Sequence, residues 1–171
     1  MSSAGFYRMH NRPTSYSSVD RFWGRDSGGI EPMLQAMAKY ETIVKSVREM
    51  HDIRVKKWRS NMSGCAWRVY HHDGRVVNWI ECPVPKTPIS LAIFLHEVGH
   101  HVIGFETYKK RCVEEYYAWR WAIDEMRRLG VEPDEKVNRR FQLSMQYAVG
   151  KAMRRGLKDL PGELTEFAQA A

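Results

Sequence analysis

The stretch "TPISLAIFLHEVGHHVIG", residues 87–104, constrains this chain more than any other part of it. Thr87 followed by Pro88 suits an N-cap and a first helical position where a missing N–H costs nothing, and Gly104 suits a C-terminal stop. The segment therefore reads as one helix, entered through a strongly apolar run and then carrying His96, Glu97 and His100. Helical residues four apart stand one above the other, so both imidazoles can address one point, with Glu97 about 100° around the helix beside it. Two unpartnered imidazoles on such a helix would be costly to bury. Whatever surrounds this helix has to give the pair a partner.

A shared metal ion is the partner that the spacing suits, with Glu97 placed as the base for a water activated at the ion. With 7 histidines in 171 residues, composition alone would produce HExxH about 0.02 times, so chance is a poor explanation. Catalytic zinc usually takes three protein ligands and keeps a fourth position open. The extended HExxHxxGxxH pattern fails here, because Ile103 stands where glycine is required and Glu106 where histidine should be. The next helix offers Glu115, followed at i+3 and i+7 by Ala118 and Ala122, a carboxylate on a face small enough for close approach to the first helix. About one turn past His100, a reversal, and about one turn back bring Glu115 level with the histidines. Glu114 on the adjacent face is the rival, and Glu106 in the link a weaker one.

The remainder reads as an α+β domain. Ile30, Met33, Leu34, Met37, Tyr40, Val44 and Val47 form one stripe of a helix ending near His51, with Pro32 in its first turn. "DIRVKKW" is strand-like, and "CAWRVYHHDGRVVNWIEC" reads as a hairpin around Asp73-Gly74. A two-residue turn there would put Cys65, Trp67 and Val69 opposite Cys82, Ile80 and Asn78, with Cys65 and Cys82 as reduced core neighbours. Helices are expected over about 111–128 and 133–157. Residues 1–29 read as a flexible arm, 30–158 as one domain and 159–171 as a loose tail.

Composition narrows the class. A hydrophobic fraction of 43% with six tryptophans fits a packed core. No apolar run approaches the roughly 20 residues of a membrane helix, and the N-terminus lacks an apolar signal core, so a cytoplasmic protein is expected. Three cysteines without a CxxC pair exclude a zinc ribbon by spacing and suit a reducing compartment.

"HEVGH" followed one helix later by "EYYAWRWA" resembles the gluzincin metallopeptidases, most closely the small ImmA/IrrE-like minimal gluzincins, over roughly residues 30–128. The resemblance implies a minigluzincin-like zincin domain: an N-terminal helix, a small antiparallel-rich sheet of about three strands, the HExxH helix, a glutamate-bearing helix and a long C-terminal helix. It implies Zn2+ held by His96, His100 and Glu115, with Glu97 as general base for hydrolysis of a protein or peptide substrate. Strand "VVNWIEC" would then be an edge for an extended substrate, or else an interior strand. The sequence departs from the family at Trp119, where Asn or Asp commonly supports the histidines. His101, Tyr108, Tyr117 and Arg120 are candidates for stabilising an oxyanion, and His71 and His72 read as ordinary loop residues.

The net charge of +7, with Lys136, Arg139, Arg140, Lys151, Arg154 and Arg155 in the last helix, supports a second class of reading. In it the chain is a basic nucleic-acid-binding or regulatory protein with a structural or inactive zinc site. The absence of a helix-turn-helix or zinc-finger pattern makes a solvated charged face the better account of that cluster.

Overall fold

The computed structural model describes residues 30–168; the expected N-terminal arm, 1–29, lies outside the described residues, as do 169–171. The chain runs α1 (Ile30–Met50), β1 (Ile53–Arg59), β2 (Cys65–Tyr70), β3 (Val76–Pro83), α2 (Pro88–Ile103), α3 (Arg111–Arg128) and α4 (Glu135–Arg154). A 3-10 turn, Gly162–Leu164, and a short helix α5 (Thr165–Ala168) follow. No helix among the described residues is long and apolar enough to cross a membrane.

Helix α2 is the axis of the fold, with every residue from Ser90 to His101 buried. Its start is a reciprocal cap: the Thr87 hydroxyl accepts from the Ser90 N–H at 3.3 Å, and the Ser90 hydroxyl accepts from the Thr87 N–H at 3.0 Å. The sheet covers one side of α2 through β3 and β2, while α3 and α4 cover the other. Small residues fix the α2–α3 spacing, as Ala118 and Ala122 predict: a Cβ added to Gly99 would lie 2.8 Å from the Ala118 carbonyl oxygen. On α1, Tyr40, Ile43 and Val47 enter the core and Val44 is half-buried, while the expected contributions of Ile30, Met33 and Leu34 lie outside the described side chains.

The sheet is mixed rather than antiparallel-rich, with order β1-β3-β2, β1 parallel and β2 antiparallel to β3. β3 is therefore the central strand and not an edge. Its Val77, Ile80 and Cys82 are buried, whereas β1 exposes Lys56 and Lys57 among others, and charged strands belong at edges. The hairpin also differs from expectation by one residue. His71 N–H donates to the Arg75 carbonyl at 2.9 Å and Gly74 N–H to the His71 carbonyl at 3.0 Å, which closes a three-residue loop with Gly74 at φ 82°. Cys65 consequently pairs with Glu81 and Val69 with Val77. The slip moves Cys65 to an exposed position while Cys82 stays in the core, so the two are not neighbours and all three cysteines are free thiols.

The expected loose tail is also corrected. Leu164 and Phe167 are both fully buried, and the Phe167 ring meets Phe141 edge-on at 5.6 Å and Tyr116 at 6.3 Å. An apolar pair three residues apart is enough to seat a single helical turn over α3 and α4.

Candidate metal centre

The two histidines of α2 and one glutamate of α3 meet between these packed helices. His96 Nε2 and His100 Nε2 are 3.3 Å apart, His96 Nε2 is 3.2 Å from Glu115 Oε2, and His100 Nε2 is 3.8 Å from the same oxygen. A tetrahedral ion with bonds of about 2.0–2.1 Å separates its ligand atoms by about 3.3 Å, so the three atoms are set to share one. His96, His100 and Glu115 thus form a group that can hold a metal ion. The rivals are placed elsewhere: Glu106 is exposed in the link, and Glu114 meets His100 at its other ring nitrogen, Nδ1, rather than joining the group.

The support is different for each histidine. Glu114 Oε1 lies 3.0 Å from His100 Nδ1, so this carboxylate accepts the Nδ1 proton and leaves the Nε2 lone pair facing the ligand group. Burial, with the nearby His96, lowers the His100 pKa to about 3, which keeps the imidazole in the neutral form a metal requires. The His96 Nδ1 is buried without a hydrogen-bond partner among the described residues; its ring is instead stacked on Trp119, with centroids 4.4 Å apart and planes 23° from parallel. Trp119 therefore replaces the polar support expected at its position with a flat apolar one.

Arg111 is a site residue that the sequence reading missed. From the first turn of α3 its guanidinium reaches Glu114 Oε1 at 2.6 Å and Glu115 Oε1 at 2.9 Å, leaving Glu115 Oε2 for the histidines. The signal was present as a basic residue three and four positions before two acids, the spacing of helical ion pairs. Burial opposes ionisation of Glu115, but the His96 hydrogen bond and the surrounding positive charge hold its pKa down at about 2. Glu97 is 5% exposed, and burial pushes it up to about 7, with His96 opposing and Glu115 adding to the rise. Its carboxylate lies against Gly64, at the entry to β2, where an added Cβ would fall 2.1 Å from Oε1.

The ligand group and Glu97 form the floor of an open cavity of about 840 Å³. Ser63, Gly64, Cys65 and Ala66 make one rim, and Arg140, Ser144, Tyr147 and Lys151 of α4 line another wall. None of the four oxyanion candidates lines this cavity. His101 turns toward the sheet, its Nε2 3.0 Å from the Trp79 carbonyl, and Tyr108, Tyr117 and Arg120 line a separate surface hollow beside Glu163. His71 and His72 are exposed at the hairpin loop. Comparisons of the chain with protein-family models, with curated proteins and with solved structures find no match.

Proposed function

We propose that this protein is a zinc-dependent metallopeptidase of gluzincin type, similar in plan to the minimal ImmA/IrrE-like branch. The observation that carries the reading is the convergence of His96 Nε2, His100 Nε2 and Glu115 Oε2 on the floor of an open cleft, with Glu97 beside them. Two imidazole nitrogens and one carboxylate oxygen are a donor set that suits Zn2+, and three protein ligands would leave such an ion a further position for water or substrate. When bound there, zinc supplies Lewis-acid polarisation of a scissile carbonyl and of a water.

The chain's own residues do the rest. Glu97, with its pKa raised to about 7, takes the proton of the attacking water and returns it to the departing amine. Arg111 and Glu114 hold Glu115 and His100 in place, and Trp119 fixes the plane of His96. With β3 in the sheet interior, the edge available to an extended peptide is β2, whose first residues form the cleft rim. Ser144 and Tyr147 are the hydroxyl donors that α4 offers to an oxyanion in the cavity.

The test is metal analysis joined to peptide hydrolysis. Wild type should carry one zinc per chain and cleave; His96→Ala, His100→Ala and Glu115→Ala should lose the metal; Glu97→Gln should keep it and lose cleavage. Stoichiometric zinc in the double variant His96→Ala, His100→Ala would remove the assignment.

A further inference from the structure

Helix α4 and its C-cap turn a single stripe toward the cleft: Arg140, Ser144, Tyr147, Lys151 and Arg155 are spaced by three or four residues and all line the cavity that also holds His96, His100 and Glu115. Lys110, at the start of α3, adds another cation to the lining. The basic cluster of the last helix is thus not simply a solvated face, since three of its members look into the proposed catalytic cleft. The acids in the lining are Glu97 and Glu115, both belonging to the site itself.

These cations have no carboxylate partner among the described residues. Lys110 Nζ donates to the Asp159 carbonyl at 2.7 Å, and Lys151 Nζ lies 5.8 Å over the Tyr147 ring. Arg140 Nη2 donates to the Met62 carbonyl at 3.0 Å, yet its Nε is buried without a partner. Arg155 is exposed just past the end of α4 and makes no ion pair with any of the described residues. A wall of unneutralised cations facing the His96, His100 and Glu115 group selects for negative charge in whatever lies between them.

Spacing says what kind of molecule fits. Lys151 and Arg155 are separated by about 6 Å along the helix axis. Two residues of extended chain cover about 6.6 Å and place both side chains on the same face. From Arg140 to Arg155 the stripe runs about 22 Å, the length of six or seven extended residues. A nucleic-acid backbone would carry its phosphates along its whole length, including past the Glu97 and Glu115 carboxylates. A peptide brings a neutral carbonyl to the floor and directs its acids only toward the wall. The geometry points to acidic peptide segments, with Asp or Glu at alternate positions beside the scissile bond, as the substrate class of this cleft. This rests on the peptidase reading and adds the α4 wall to it as the element that determines specificity.

The test separates recognition from hydrolysis. Zinc-loaded, full-length Glu97→Gln is titrated with fluorescein-labelled extended dodecapeptides that differ only in carrying Glu, Gln or Lys at alternate positions. The Glu peptide should bind about tenfold tighter than the Gln peptide, the worth of two partly exposed ion pairs, and the gap should narrow as salt rises. Adding Lys151→Glu and Arg155→Glu, both exposed positions, should reverse the order so that the Lys peptide binds best. Equal binding of Glu and Gln peptides, or an order unchanged by the charge reversal, would overturn the inference. So would an oligonucleotide of equal charge that displaces the acidic peptide and binds more tightly through the same residues. Wild type then tests the catalytic reading by itself: acid-selective binding without cleavage places the failure there, and cleavage without acid selectivity places it here.

Discussion

Trp119 lies flat against His96, ring on ring, at the position where the resemblance to gluzincins leads one to expect an amide or carboxylate. The indole is 2% exposed and also meets Phe141 at 6.2 Å, so it joins the His96, His100 and Glu115 group to the core beneath α4. The arrangement holds the ring plane without determining which His96 nitrogen carries the proton.

Trp119→Ala should therefore lower both stability and metal affinity. Loss of a buried aromatic costs about 3–5 kcal/mol, which for a chain this size is a fall in Tm of roughly 6–20 °C. Zinc affinity, measured by competition with a chromophoric chelator on folded protein, should fall about tenfold, the low end for a ligand's supporting residue. Trp119→Phe keeps a flat ring and should retain most of both. A folded Trp119→Ala with wild-type zinc affinity would show that the stack does not orient His96.

Glu114 makes the complementary prediction for the other histidine. Glu114→Gln keeps the size of the side chain but removes the negative charge that accepts the His100 Nδ1 proton and pairs with Arg111. Zinc affinity should fall about 10- to 100-fold while far-ultraviolet circular dichroism stays unchanged. The loss should exceed that of Glu106→Gln, an exposed control that should bind zinc as wild type does.

These two residues mark where sequence reading stops. The positions of His96, Glu97 and His100 were legible because a helix enforces their spacing locally, and Glu115 followed from a single reversal between two helices. Neither the His100 support by Glu114 nor the stacking of Trp119 has a local signal, since each depends on how α3 is rotated against α2. The hairpin register turned on one loop residue: Asp73-Gly74 fits a two-residue turn and a three-residue loop alike, and one residue moves Cys65 out of the core. Strand order depended on which strand was apolar enough to be central. The tail was misjudged because Leu164 and Phe167 are too few to register as a period, although their burial is complete. The α4 basic stripe, read as a solvated face, acquires its meaning only when the cavity below it is seen.

The corrected register can be checked through the thiols. Cys65 is exposed on the cleft rim, whereas Cys82 and Cys112 are buried, and burial pushes the Cys82 thiol up to about 12, with Glu97's charge adding to the rise. Ellman's reagent should titrate one thiol in native protein and all three after denaturation. Burial and then the Glu97 charge raise the Cys65 pKa from an ordinary 9.0, so its thiolate fraction is still growing at pH 9 and the native reaction should keep accelerating through that pH. No fast native thiol at all would restore the register in which Cys65 and Cys82 are buried core neighbours.

Gly64 offers the sharpest separation of metal binding from catalysis. Its backbone is not in the left-handed region, so alanine is tolerated locally, but the new Cβ would stand 2.1 Å from Glu97 Oε1 and 2.5 Å from Cδ. No real contact is that short, so the Glu97 carboxylate must leave its place beside the ligand group. Because the three atoms nearest to that Cβ all belong to Glu97 and not to the proposed ligands, Gly64→Ala should keep one zinc per chain and nearly wild-type Tm. A displacement of about 1 Å in a catalytic group costs on the order of a hundredfold in rate, so kcat should fall by about that factor with KM little changed. Glu97→Gln should be at least as severe, and combining the two should add little, because Gly64 acts only through Glu97. A Gly64→Ala enzyme with full activity would mean that the base which matters is not the carboxylate lying against Gly64.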